Sequence, residues 1–287
     1  MKVDKLRTVI IYIIIILLGL VCLLPLLNIV AISFSSSAAV EGNMVGLIPV
    51  GFSTAAYKKI LEDSQFWHSF LISVERVVLA LIINFVLIVL MAYPLSKTNA
   101  QFRGRNIYAN LMIFAMLFNG GMIPTFLVVK SYGLLNTVWA LVLPGAVPIF
   151  NVILVMNFFA AVPKELEEAA FIDGANPLQV LTKIFIPISK PVLATVSLFS
   201  IVGSWNDFYS GLIYMSKAAY YPLMTYIQSL QINVKQGNLS AVVDSASLGN
   251  TNLNAAKIVI AVIPLLLIYP LLQRYFVSGI VVGSVKG

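Results

Sequence analysis

The chain has 287 residues, 60% of them hydrophobic and only 10% charged, with a mean hydropathy of +0.97 and a formal net charge of +7. A soluble domain carries about 25% charged residues, so this chain cannot cover a globular surface with polar groups and its solvent must be largely lipid. The basic excess is spread over short loops and forms no patch interleaved with aromatics, which argues against nucleic acid as a partner.

Apolar runs near the ~20 residues needed to cross a bilayer predict six membrane-spanning helices, over 8–33, 69–95, 107–129, 138–159, 191–215 and 255–275. Each must be helical, because an open strand in lipid leaves backbone polar groups unpaired. The fold class is therefore all-α, a polytopic membrane protein, read as a single transmembrane domain over 1–287. The first run has a basic start (Lys2, Lys5, Arg7) but is longer than the apolar core of a secretory signal, about 7–15 residues. The stretch Gly19-Leu20-Val21-Cys22 faintly resembles a lipoprotein signal. Val21 is a poor residue before a cut, however, and apolar sequence continues beyond it, so the run reads as an uncleaved anchor. Cys22, the single cysteine, allows no intrachain disulfide and no cysteine metal cluster, and one histidine, His68, allows no multi-histidine site.

Two long connections follow spans one and five. Residues 38–68 hold Gly42, Gly46, Pro49 and Gly51 and then the helix-like AAYKKILED; residues 217–254 are rich in Ser, Asn and Gly. Loops of this length are uncommon unless functional or disordered, and they read either as a docking surface or vestibule lining, or as solvated connections. Glu75-Arg76 at the start of span two reads as a self-neutralising interfacial pair. Asn119-Gly120-Gly121, ahead of Pro124, reads as a locally opened helix that lines a cavity or, the preferred reading, makes a packing notch. Pro25, Pro124, Pro144, Pro148, Pro264 and Pro270 predict kinks within spans.

Between spans four and five lies a polar island, PKELEEAAFIDGANPLQVLTKIFIP, residues 163–187. Its pattern predicts two short helices. Pro163 suits a first helical position, and Glu165, Glu167 and Glu168 complement the N-terminal end of a helix dipole. Leu166, Ala169 and Ala170 share one face. Asp173-Gly174 signals a turn, Asn176-Pro177 an N-cap followed by a proline start, and Leu178, Leu181, Ile184 and Phe185 a second apolar stripe. An amphipathic helical hairpin on a membrane protein is suited to touching another protein, or alternatively to resting on lipid headgroups.

Charge sets the orientation. Eleven of the eighteen Lys and Arg fall in the N-terminus, 96–106, 160–190 and the C-terminus, and seven in the other set of segments. This places both termini and the hairpin in the cytoplasm. Chemistry is missing: there is no phosphate loop, no Gly-x-Ser-x-Gly elbow and no His-Glu-x-x-His. Glu167 and Glu168 are adjacent and diverge on a helix, so they are not a glycosidase pair. No catalytic site is expected.

The spacing Glu168-Ala169-Ala170, three residues, Gly174, nine residues, Ile184, one residue, Ile186-Pro187 resembles the EAA loop of ABC-importer permeases, with Ile-Pro where that family usually ends in Leu-Pro. GGMIPTFLVVKSYGLLNTVWALVLPGAVPIFNVILVMNFFAAVP (120–163), WNDF (205–208) and YPLLQRYFVSGIVVGSVKG (269–287) resemble the carbohydrate-uptake branch. The match is to the maltose-type permeases and their LplC-like oligo- and polysaccharide subgroup, and it covers about 82–287. The resemblance implies a type I ABC-importer permease fold in the bacterial cytoplasmic membrane. It implies a second, related permease, two cytoplasmic ATPase subunits that hold ATP and Mg, and an extracytoplasmic solute-binding protein, with no cofactor on this chain. It assigns ATPase coupling to Glu168, Ala169, Ala170, Asp173, Gly174, Ile184, Ile186 and Pro187. Small side chains at 169, 170 and 174 would permit close approach, and Glu168 would make a charged contact across a groove or brace the hairpin.

Asp207 is costly within a span and belongs on the bundle interior. With Trp205, Asn206 and Tyr209, and with Asn119, it reads as a sugar pathway or as a packing contact or salt bridge to the partner permease, the latter preferred. The rival functions are an importer permease for amino acids, peptides or phosphate, since the loop is shared, and an ion-coupled secondary transporter. The latter favours internal repeats, of which this sequence has none. A non-transport membrane scaffold is the third.

Overall fold

The structure, a computed structural model, describes residues 2–118, 120–235 and 251–283, which are helical with no strand among them. In chain order the helices are α1 (Lys2–Ser33), α2 (Ser37–Glu41), α3 (Ala55–Glu62), α4 (Ser64–Leu95), α5 (Arg105–Leu117), α6 (Met122–Ser131), α7 (Val138–Val142) and α8 (Ile149–Ala160). They continue with α9 (Lys164–Ile172), α10 (Pro177–Val180), α11 (Ile186–Ile188), α12 (Lys190–Asn206), α13 (Tyr209–Tyr214), α14 (Leu223–Lys235) and α15 (Thr251–Gly283). Among the described residues, three stretches are each long and apolar enough to cross a membrane, Arg7–Ser33, Ser64–Leu95 and Thr251–Leu271. Bent pairs of shorter helices bring the number to as many as six.

Three predicted spans are broken. The 107–129 run is two helices, α5 and α6. The 138–159 run is α7, a 3-10 turn over Leu143–Gly145 and α8, bent by 47°. The break holds Pro144 and Pro148, where missing N–H donors end the ladder. The 191–215 run ends as α12 at Asn206, about 26 Å long at 1.5 Å per residue. Asp207 and Phe208 separate it from α13, so Asp207 sits at a helix break and not within a span.

The chain divides into two compact units. One comprises Met1–Trp67 and Tyr226–Pro264. Residues 7–27 of α1 are exposed on every side, and a helix apolar all round must meet lipid or another protein. The 38–68 connection is not irregular: it carries α2, α3 and the start of α4. Asp63 caps α4, its Oδ1 accepting from Phe66 N at 2.9 Å. Its Oδ2 accepts from Lys257 Nζ at 2.7 Å and Tyr226 OH at 3.0 Å, and Lys257 also donates to Tyr226 OH at 3.1 Å. Burial pushes the Asp63 carboxyl up, but these hydrogen bonds and the Lys257 charge together hold it below the usual carboxylate range. Likewise, 217–254 carries a 3-10 turn over Ala218–Tyr220 and then α14; its residues 236–250 lie outside the described chain.

The other unit comprises His68–Thr225 and Leu265–Gly287. Its main core joins Ile88 and Ala92 of α4, Val152, Val155 and Phe159 of α8, and Val196 of α12. A second cluster holds Val129, Ala140, Leu141, Tyr214 and Met215. Gly211 in α13 is a close approach. A methyl there would overlap the Thr225 side chain, with Thr225 Cβ and Cγ2 both 2.9 Å away. Glu75 does not neutralise Arg76: neighbouring helix positions point apart, Glu75 is exposed, and Arg76 is buried and pairs with Asp207.

Candidate functional site: a docked elbow and a polar cleft

The 163–187 island folds as sequence chemistry dictates. α9 ends in a Schellman motif: Gly174 N donates to Phe171 O at 3.0 Å and Ala175 N to Ala170 O at 2.9 Å. Gly174 has φ +81°, a left-handed conformation that glycine adopts without a Cβ penalty. Asn176 then opens α10 through a capping box. Its Oδ1 accepts from Gln179 N and its own N donates to Gln179 Oε1, both at 2.9 Å, with Pro177 in the first turn. The helix widens to a π-turn over Leu181–Phe185, where Ile186 N reaches back five residues to Leu181 O. Pro187 explains the widening, because it has no N–H to give and its ring crowds the carbonyl four residues back. An 84° bend at Ser189 then redirects the chain into α12.

This elbow is packed onto the bundle. Val180, Leu181 and Phe185 are buried in the same core as α4, α8 and α12. On α9 the most buried residue is Glu167, at 8% exposure, while Leu166 is 44% exposed; of the face predicted to be apolar, Leu166 and Ala169 turn outward and Ala170 packs against the core. The cause lies in the loop after α4. Lys97 Nζ sits 2.7 Å from Glu167 Oε2 and 4.1 Å from the ring centroids of both Tyr93 and Phe185. A cation between two π faces and against a carboxylate repays part of its dehydration. Burial still dominates, and the Lys97 ammonium is held below its ordinary pKa despite the Glu167 charge.

The residues named from the EAA spacing divide between two faces. Glu168, Ala169, Asp173, Gly174 and Pro187 are exposed, while Ala170, Ile184 and Ile186 are half-buried against the core. The outer face also presents apolar surface missed by the spacing: Ile172 is 86% exposed, Leu178 63% and Phe171 43%. Leu178, read as part of the second apolar stripe, belongs to this outer set. Ile172, at the end of α9 beside the turn, was in neither apolar stripe.

In the same unit a cleft of about 240 Å³ opens between α4, α8 and α12. Arg76 Nη1 donates to Asp207 O at 2.9 Å, and its Nη2 makes an ion pair with Asp207 Oδ2. Asp207 Oδ1 caps the chain ahead, accepting from Tyr209 N at 3.0 Å and Ser210 N at 3.1 Å. On the same wall, the Asn84 amide accepts from Ser200 Oγ at 3.2 Å and donates to Ala146 O at 3.0 Å. Of the residues predicted for a sugar pathway, only Asp207 lines this cleft. Trp205 is buried edge-on to Phe70, with centroids 5.7 Å apart. Asn206 and Tyr209 are exposed, and Asn119 lies outside the described residues. The preferred reading is a helix-packing hydrogen bond or a salt bridge to the partner permease; in the structure Asp207 makes a salt bridge within the chain, to Arg76. Asn84 and Ser200 carry no signal in the sequence, and Arg76 reads there as the partner of Glu75; the signal that pointed to this cleft was the cost of Asp207 within an apolar run.

Comparison with known proteins bears on the fold and the family. The family described as binding-protein-dependent transport system inner membrane component matches residues 2–282. The protein LplC of Bacillus subtilis (strain 168) is 42% identical over 278 residues, covering 94% of this chain and 91% of LplC. The polygalacturonan/rhamnogalacturonan transport system permease protein YtcP of the same organism is 40% identical over 286 residues and 99% of each chain. A chain in the crystal structure of a bacterial ABC transporter involved in the import of the acidic polysaccharide alginate superposes with a TM-score of 0.86 at 33% identity. The match covers 96% of this chain and 98% of that one.

Proposed function

The chain belongs to the family of binding-protein-dependent transport system inner membrane components, and from that premise we propose that it passes oligo- or polysaccharide fragments inward, driven by ATP hydrolysed elsewhere. Members of this family are transport components and not enzymes, and membership implies a partner permease, ATPases and a binding protein in general. The finer reading is a heterodimer with a second, homologous permease, carried on two ATPase subunits that bind ATP and Mg, with both termini in the cytoplasm. The sugar class is supported by relatives named for pectic polysaccharides and alginate.

One observation carries the coupling role: the elbow is fixed on its inner side and presents large apolar side chains among charged ones on its outer side. Lys97–Glu167 and the core residues Val180, Leu181 and Phe185 tie it to the bundle, so a force on its outer face moves α12 and α8 with it. Ile172, Leu178 and Phe171 offer the partner ATPase about 1.5–3 kcal/mol for each side chain fully buried, and Glu168 adds a charge at the rim. Gly174 tests this reading. Nothing lies within 4 Å of a Cβ built there, so Gly174→Leu leaves the packing untouched, costs about 1–2 kcal/mol in left-handed backbone strain and projects a side chain into the docking face. In reconstituted transporter, ATP hydrolysis should persist or fall modestly while uptake per ATP drops at least tenfold. Unchanged uptake per ATP would remove the elbow from the mechanism.

A further inference from the structure

The geometry points to the cleft between α4, α8 and α12 as a subsite for one neutral, hydroxyl-bearing residue of the transported sugar, an inference that rests on the carbohydrate reading above. Arg76 is 4% exposed, and its guanidinium has five N–H donors. Nη1 and Nη2 each spend one on Asp207, and Nε meets no acceptor among the described residues although it is buried. A buried N–H left unpaired is costly, and here it belongs to a side chain that lines an open cleft. The rest of the lining is mixed: Asn84, Asn151, Ser200 and Ser204 set polar groups among apolar walls that include Leu141 and Phe199. That pairing of a few placed polar groups with apolar surface suits the edge and face of a sugar ring. The volume of about 240 Å³ is below the roughly 300–1,000 Å³ of sites that enclose drug-sized ligands, so the cleft holds one ring of a chain and not the chain.

Charge decides which kind of ring. Arg76 is already neutralised by Asp207, and both line the cleft. A uronate carboxylate reaching for the spare guanidinium donors would also meet the Asp207 carboxylate, a like charge where water is scarce. A hydroxyl meets no such repulsion, and because it both donates and accepts it can answer a remaining Arg76 Nη–H on one side and serine or amide oxygens on the other. The subsite therefore reads neutral residues, even in a chain whose relatives carry acidic polymers.

The experiment uses the complete membrane complex in nanodiscs without its solute-binding protein, titrated calorimetrically with a neutral galactose trisaccharide and a galacturonate trisaccharide. Wild type should prefer the neutral probe. Asp207→Asn keeps an oxygen for the Tyr209 and Ser210 amides but frees the Arg76 charge. It should shift the binding ratio toward the acidic probe by about tenfold, the scale of one charge-assisted hydrogen bond. Ser200→Val should weaken the neutral probe by a similar factor. A purely structural ion pair gives a different result, with both probes weakened equally or neither changed; that outcome overturns the subsite. So does wild type binding the acidic trisaccharide as tightly as the neutral one, or binding neither while the transporter with its solute-binding protein still takes up sugar. If the full transporter takes up no sugar at all, the carbohydrate reading itself falls.

Discussion

Removing the carboxylate from Glu167 or the ammonium from Lys97 should loosen the elbow by a calculable amount. Their side chains are 11% and 12% exposed, and deleting one partner of a buried pair costs about 3–5 kcal/mol because the other charge is stranded. The two deletions are not equivalent. Glu167→Gln leaves Lys97 between Tyr93 and Phe185, where cation–π attraction of about 0.5–2 kcal/mol survives, so the net loss is about 2–3 kcal/mol. Lys97→Met strands Glu167 with no such compensation and should cost about 3–5 kcal/mol. Replacing both, as Lys97→Met with Glu167→Leu, removes the stranded charge and should return to within about 1 kcal/mol of wild type. Hydrogen exchange of peptides covering 163–189 reads this directly, since local opening sets protection. At 1.4 kcal/mol per tenfold, Glu167→Gln should speed exchange about 30- to 150-fold and Lys97→Met at least 150-fold. The double variant should stay within about fivefold of wild type, with α8 peptides unchanged throughout. Native protection in both single variants, or a double variant whose loss is the sum of the two, would refute the pair as the elbow's anchor.

Asp63 carries a pH signature. Its folded pKa lies below the ordinary value near 3.9, so its contribution is complete above that value and is lost as pH falls through the folded pKa. Asp63→Asn should lower thermal stability in detergent at pH 7, by about 3 kcal/mol for a stranded Lys257. The gap to wild type should close as the pH is taken below the carboxylate range, and a gap constant with pH would contradict the cluster. Gly211→Ala should destabilise by about 1–3 kcal/mol through overlap with Thr225, partly restored by Thr225→Gly, as read by thermal unfolding of the purified protein.

Local chemistry was legible in the sequence. The turn at Gly174, the cap at Asn176 and the proline start at Pro177 act over three or four residues, and the structure forms each of them. Which carboxylate faces inward was not legible. Glu167 and Glu168 look alike on a helix, and the choice is made by Lys97, 70 residues earlier, with Tyr93 and Phe185 beside it. The Arg76–Asp207 pair spans 131 residues, and nothing local distinguishes it from Glu75–Arg76. Apolar runs located the membrane segments but smoothed over their breaks, because Gly, Pro and Asp at 120–121, 144–148 and 207 barely alter the mean hydropathy of a 20-residue window while interrupting the helix.

The most direct test places one cysteine at the elbow's tip. Ile172→Cys, in a chain whose native Cys22 is replaced by serine, is challenged with a membrane-impermeant maleimide in right-side-out and inverted vesicles, with and without the ATPase subunits. The account expects labelling in inverted vesicles only, and protection when the ATPases are bound. Labelling from the outer face, or labelling that the ATPases leave unchanged, would contradict it.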